Sequence, residues 1–320
     1  MSVLATSVFV LGVSIFVLAA ADVRSEDFAA RSAFERRTIA EGTRTKVEAA
    51  TRVEAARTDT EYAELPGVRL WYRDSGGGGI PVVFLHAATG SSRVWEHQEG
   101  AFVSAGFRFI AYDRRGFGRT VVEPPGTSST TGADDLDALM NHLRIDRFHL
   151  VGTAAGAFVC LDYALSFPQR LRSVVIANTI GGVQDEEYLE LGRQLRPPAF
   201  AAMPPEFREL GPSYRASNPA GTQRWIDLER TSRPDVAAGT PPPAQPMRNR
   251  ITFALLETLK VPTLLVTGDA DLYAPPAVMR LFAGRIKGAE SVVVPEAGHS
   301  AYWEQPEVFN RAVLNFLGKH

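Results

Sequence analysis

The stretch LVGTAAGAF, residues 150–158, carries apolar strand formers directly into Gly152-Thr153-Ala154-Ala155-Gly156 and on into a helix-forming run. The chain passes from strand to helix in one tight turn with Ala154 at its tip. A turn of this outline presents its central residue at the end of a strand, where a reactive side chain would be exposed. Ala154 offers only a methyl group, which cannot attack a carbonyl. Three readings are open at this point: a disarmed site, a site of different chemistry, or a coincidental outline. The flanking sequence decides among them.

Outward from the turn, strand and helix patterns alternate. VRLWYRD (68–74) alternates as a strand, Gly76 to Gly79 make a flexible turn, and PVVFLH (81–86) and FRFIAYD (107–113) read as short apolar strands. In DDLDALMNHL (134–143), Leu136, Leu139, Met140 and Leu143 recur at helical spacing. RFHLVG (147–152), RSVVIAN (172–178), VPTLLVTG (261–268) and ESVVVPEAG (290–298) read as further strands. A closing helix at about 306–317 places Val308, Phe309, Val313 and Phe316 on one side. Strands alternating with helices predict an α/β fold, a mostly parallel, doubly wound sheet covered on both faces. Residues 181–258 break the rhythm with many prolines, among them Pro197, Pro198, Pro204, Pro205 and the run Pro241-Pro242-Pro243. An insertion of that length between core strands is expected to be a helical cap over the mouth of the sheet rather than bare loop. The core is then 62–180 and 259–320.

The 320 residues are 45% hydrophobic and 22% charged, enough apolar material for a sizeable core. A net charge of −2 leaves no basic excess for a phosphate backbone, which argues against nucleic acid as a partner. The single cysteine, Cys160, excludes an intramolecular disulfide and any multi-cysteine metal site. From Val3 to Ala21 no side chain is charged, and the run ends in Ala19-Ala20-Ala21 before Asp22. Residues 1–21 are thus expected to be a signal peptide or a membrane anchor, although no basic residue precedes the apolar run. That implies a periplasmic, secreted or membrane-attached protein, or a cytoplasmic one if translation starts downstream. Residues 22–61, rich in Arg, Glu, Ala and Thr, read as a charged linker or stalk. Within it VEAATR (47–52) is nearly repeated as VEAART (53–58).

Four motifs, each at the end of an expected strand, now decide the fold. HAATG (86–90), DRRGFGRT (113–120), GDADLYAPP (268–276) and EAGHSAYWEQP (296–306) follow one another around the turn at Ala154. In this order the chain from about Tyr62 to His320 resembles the α/β-hydrolase fold superfamily. HAATG is similar to that family's H-G-x-x-G oxyanion loop, with Ala87 in place of the second glycine. The resemblance implies backbone N–H donors at Ala88 and Ala155 for a developing oxyanion. DRRGFGRT resembles the D-x-R-G-x-G-x-S run, whose role is taken as structural. GDADLYAPP matches G-x-x-D-x-x-x-P, placing the triad acid at Asp271 in preference to Asp269. His299 is the corresponding general base. Four motifs in the required order remove the coincidence reading.

The nucleophile position is Ala154. Thr153 is not expected to replace it, since the residue before the nucleophile points away from the pocket. Cys160 is nearly two helical turns further on and reads as a buried apolar-like residue. Loss of the serine from a triad costs on the order of a million-fold in kcat, about 8 kcal/mol of barrier. Three hypotheses follow. Alanine replaces a native serine in an ester or lactone hydrolase; or alanine is natural and His299, Asp271 and the two N–H groups do non-covalent lyase, decarboxylase or cofactor-free oxygenase chemistry; or the pocket only binds. No metal or organic cofactor is implied. The partner expected is a small molecule. Phe200, Met203, Phe207, Tyr214 and Trp225 of the cap either meet an apolar or aromatic ligand or pack the cap onto the core.

Overall fold

The computed structural model describes residues 61–122, 130–179, 182–234 and 245–320. The readings of 1–21 and of 22–61 lie outside the described residues, apart from Glu61, which opens the first strand. Among the described residues no helix is long and apolar enough to cross a membrane.

In chain order the strands are β1 (Glu61–Leu65), β2 (Val68–Asp74), β3 (Ile80–Leu85), β4 (Phe107–Tyr112), β5 (Val121–Val122), β6 (Phe148–Thr153), β7 (Leu171–Ala177), β8 (Thr263–Gly268) and β9 (Glu290–Val294). Among the described residues they form one nine-stranded sheet in the order β1-β2-β4-β3-β6-β7-β8-β9, with β5 paired to β2. The pairs of β2 with β1, β4 and β5 are antiparallel, and every neighbour pair from β4 through β9 is parallel. The mostly parallel sheet read from the sequence is therefore present, with an antiparallel edge.

The two-residue period of β3 shows why both faces are covered. Val83 and Leu85 enter one apolar layer, with Leu136, Leu139 and Met140 of α2 (Gly132–His142) and Leu161 of α3 (Ala155–Ser166). Val82 and Phe84 enter the other, with Phe102 of α1 (Glu99–Ser104) and, near the C-terminus, Phe309, Val313 and Phe316. Successive residues of a strand point to opposite faces, so an unbroken apolar run needs a helix layer on each side.

Between β7 and β8 lie α4 (Glu186–Leu195), α5 (Pro198–Ala201), α6 (Pro205–Glu209), α7 (Pro212–Ser217), α8 (Pro219–Arg230) and α9 (Phe253–Leu256). The prolines here start helices rather than break them: Pro198, Pro205, Pro212 and Pro219 each open one. Proline suits a first helical position because its missing N–H would have no intrahelical acceptor there. After β8 come α10 (Pro276–Ala283), α11 (Ala301–Glu304) and α12 (Pro306–Leu317).

The DRRGFGRT loop is built around two buried side chains. Asp113 accepts from the backbone N–H of Ser92 at 2.7 Å and of Arg119 at 2.9 Å. Thr120 Oγ1 donates to the Asp113 carbonyl at 2.6 Å and accepts from the Trp71 N–H at 3.0 Å. Gly118 has φ 55°, and a Cβ there would collide with the Asp113 carboxylate. Arg115 donates through Nε to Asp135 Oδ2 at 2.7 Å and through Nη2 to Oδ1 at 2.9 Å. Its Nη1 and Nη2 also hold the carbonyls of Gly67 and Pro66, at 2.7 and 2.9 Å. This accounts physically for the Asp, Arg, Gly and Thr spacing.

Candidate active site

The turn at residue 154 is strained. Ala154 has φ 49° and ψ −121°, a backbone conformation that a residue with a Cβ rarely adopts. Its N–H donates to the Ala177 carbonyl at 2.9 Å, tying the turn to β7. The flanking glycines are forced by contact. A Cβ on Gly152 would collide with Cys160 Sγ, and one on Gly156 with the carbonyl oxygens of Leu85 and His86. Strain of this kind costs on the order of 1–3 kcal/mol and persists only where the surroundings dictate it. Here the tight packing of α3 on β3 and β6 dictates it. Thr153 is fully buried and takes no part in the cavity; Cys160 is likewise fully buried.

A cavity of about 380 Å³ opens above this turn, lined by Ala88, Ala154, Ala155, Phe158, His299 and Tyr273 among others. Four of the five residues expected at the site, Ala88, Ala154, Ala155 and His299, thus share one cavity, and the fifth, Asp271, stands behind His299. Ala155 is the first residue of α3, so its N–H has no intrahelical acceptor. Among the described residues, neither that N–H nor the Ala88 N–H donates a hydrogen bond.

His299 Nδ1 lies 2.9 Å from both carboxylate oxygens of Asp271. Asp271 is 2% exposed and is held in place by four other donors. The Tyr273 and Ala274 N–H groups reach Oδ1 at 2.8 and 2.9 Å, and Asn178 Nδ2 and Thr267 Oγ1 reach Oδ2 at 3.2 and 3.3 Å. Asp269 is exposed and accepts from the Ala297 N–H at 3.3 Å, so it is Asp271 that meets the imidazole.

Burial alone would raise the Asp271 pKa, but the charge and hydrogen bond of His299, then the two N–H donors, outweigh it and hold the carboxyl below its ordinary range. Burial alone would lower His299, but the charge of Asp271, then of Glu209, and the Asp271 hydrogen bond raise it above the ordinary histidine value. The raised His299 contributes stability that is complete below about pH 6.5 and lost as pH rises through its folded pKa. The depressed Asp271 contributes stability present above about pH 4 and lost as pH falls through its folded pKa. The pair therefore stabilises the fold most between about pH 4 and 6.5. Asp271→Asn should cost more stability in urea unfolding at pH 6 than at pH 9; an equal cost at both would reject the linkage.

The structure adds residues that the motifs did not reveal. Tyr273 packs its ring 4.2 Å from that of His299. Arg208 Nη1 donates to the Tyr273 hydroxyl at 3.2 Å, and Arg196 Nη1 to its carbonyl at 3.0 Å. Arg196, Arg208 and Glu209 come from the insertion and line the cavity. Glu209 is 5% exposed, and burial raises its pKa. Glu304 accepts from the N–H groups of Gly211, Gly298 and Ser300, clamping the insertion to the His299 loop. Asn178, the last residue of RSVVIAN, donates to Asp271 Oδ2 across 93 residues of sequence, and no motif marks it. Phe200, Met203, Phe207, Tyr214 and Trp225 do not line this cavity. Tyr214 and Trp225 pack with Trp303 in the second apolar layer, Phe200 meets the Tyr273 ring at 4.9 Å, and Phe207 is exposed beside Arg215. Among the described residues no three metal-ligating side chains come together.

The chain is similar to known proteins over most of its length. BpoC of Mycobacterium tuberculosis, which carries the name of a non-heme bromoperoxidase, is 30% identical over 271 residues, covering 78% of this chain and 98% of its own. A solved thermophilic esterase from Thermogutta terrifontis is 29% identical, with a TM-score of 0.66 and coverage of 82% of this chain and 98% of its own. The solved enol-lactonase from Burkholderia xenovorans LB400 is 25% identical, with a TM-score of 0.63 and coverage of 80% and 99%. The sequence profile of the alpha/beta hydrolase family matches residues 82–312, and the chain belongs to that family.

Proposed function

We propose that this protein acts on a small carboxylic ester or lactone, with His299 as general base oriented by Asp271. The carbonyl oxygen would sit between the N–H groups of Ala88 and Ala155. Both are free to donate among the described residues and both line the cavity. With Ala154 at the elbow no acyl-enzyme can form, and the attacking group is a water whose proton passes to His299 Nε2. The inserted helices act as the cap, supplying Arg196, Arg208 and Glu209 to the cavity wall.

The observation that carries this reading is the hydrogen-bonded His299–Asp271 pair in the wall of a cavity floored by a strained, glycine-flanked elbow. Relatives named as an esterase and an enol-lactonase support the substrate class. The test is p-nitrophenyl acetate hydrolysis by the protein and by His299→Ala. Loss of a positioned base should lower the catalysed rate by about 10²–10⁴-fold. Equal rates would reject the reading.

Glu209 favours a second reading, proton transfer on a bound carbonyl compound without hydrolysis. It is a buried carboxyl in the same cavity as His299, with a pKa that burial raises, and its Oε2 has no hydrogen-bond partner. Deuterium wash-in from heavy water into a bound ketone, lost in both Glu209→Gln and His299→Ala, would distinguish it from hydrolysis.

A further inference from the structure

A second cavity, about 270 Å³, adjoins the first: Ala88, Ala155 and Phe158 line both. The residues expected to hold an oxyanion therefore stand at the junction of two chambers. The mechanism uses only one of them.

The second chamber is cationic. Arg114, Arg115, Arg233 and Asp162 line it, together with Phe117 and Gln245. Arg115 is committed to Asp135. Asp162 is committed to the backbone N–H groups of Arg248 and Asn249, at 2.8 and 3.0 Å, and to Asn249 Nδ2 at 2.8 Å. Arg114 and Arg233 are not balanced in this way. Arg114 Nε and Nη2 and Arg233 Nε are buried and have no hydrogen-bond partner. Among the described residues neither guanidinium pairs with a carboxylate. Both instead lie over the Phe117 ring, at 4.6 and 5.1 Å from its centroid.

Buried, unsatisfied guanidinium donors are costly, and a cation–π contact satisfies no N–H. Burial, first of all, lowers the Arg114 pKa to about 10, which leaves the group charged at neutral pH. Phe117 acts as a spacer that fixes both planar groups, and their N–H forks match a carboxylate's two oxygens.

We infer that Arg114 and Arg233 form a carboxylate-binding subsite, so that the substrate is an ester or lactone bearing a free carboxylate on one side of its reacting carbonyl. The carbonyl would lie at Ala88 and Ala155 and the carboxylate in the second chamber. This deepens the reading of the first cavity and rests on it for the position of the carbonyl. The arginines are then specificity residues, touching substrate away from the bond that breaks.

The test is calorimetric titration of the protein, with alanine at 154 so that ligand persists, using monomethyl glutarate and dimethyl glutarate. The half-ester is expected to bind at least tenfold tighter than the neutral diester. In Arg114→Met and in Arg233→Met the two should bind within about twofold of each other. Equal binding of the two compounds to the unsubstituted protein would overturn the proposal, as would a preference that survives both substitutions. Competition by inorganic phosphate at lower concentration than acetate would overturn the carboxylate assignment. A half-ester preference in a protein whose His299→Ala variant hydrolyses esters equally well would leave the subsite standing and reject the hydrolytic reading.

Discussion

Ala154→Ser is expected to raise hydrolysis of short p-nitrophenyl esters by four to six orders of magnitude, against roughly 10⁶-fold lost when a serine-protease triad loses its serine. The substitution adds one oxygen at a residue already held at φ 49°, in the wall of a cavity of about 380 Å³. It therefore needs no backbone change and leaves stability within about 1 kcal/mol. His299 and Asp271 are already hydrogen-bonded, so the added hydroxyl finds its base and the base finds its carboxylate. Raised above the ordinary histidine value, His299 is the active base only on the alkaline side of its folded pKa. The kcat/KM profile of the serine form should rise through an inflection above pH 6.5. The serine form should be labelled by a fluorophosphonate, and Ala154→Ser/His299→Ala should lose both labelling and turnover. If the serine form is neither labelled nor active across esters and lactones, the hydrolytic reading fails and proton-transfer chemistry takes its place.

Arg115→Met should destabilise the protein by about 3–5 kcal/mol, the usual cost of breaking a buried ion pair from one side. The Arg115 and Asp135 side chains are 4% and 6% exposed, so removing the guanidinium leaves a buried carboxylate with the Gln245 amide at 2.7 Å but no opposite charge. It also releases the carbonyls of Pro66 and Gly67, which hold the β1–β2 turn against the DRRGFGRT loop. For a core of this size the loss corresponds to a fall in Tm of roughly 10 °C. Arg115→Met/Asp135→Leu should recover part of it, because an apolar pair leaves no buried charge. A single-variant loss below 1 kcal/mol in urea unfolding would show that the Gln245 amide suffices for Asp135 and that the motif's arginine is dispensable.

The layered sheet was legible because its causes are local. Apolar runs of strand length, a helical period from Leu136 to Leu143, and glycines at 152 and 156 are one-dimensional signals. The choice of Asp271 over Asp269 was legible from motif register, and the structure places Asp271 against the imidazole. The chain order of elbow, acid and histidine carried the rest of the candidate site.

Other parts of the site had no such signal. Glu209 and Arg208 sit in a short proline-led helix, and Arg196 just past the end of another helix, where a charged residue reads as surface. Only the folding of the insertion back over the ends of the strands turns Glu209 inward and buries it to 5% exposure. The aromatics of the insertion left two readings open for the same reason: an apolar side chain fits a core and a pocket equally well, and Tyr214 and Trp225 went to the core.

The sequence by itself determined the family, the sheet, the strand-end positions of the four motifs and an alanine, with no reactive side-chain atom, at the tip of the turn at 154. These follow from residue type and spacing along one chain. The tertiary structure alone decided which charges are answered. Asp271 is saturated by five partners, whereas Arg114 and Arg233 face a chamber with donors unspent. Partnership of that kind depends on side chains brought together from strand ends, loops and insertions far apart in sequence, and the free energy of a buried polar group depends on its partner rather than its own identity.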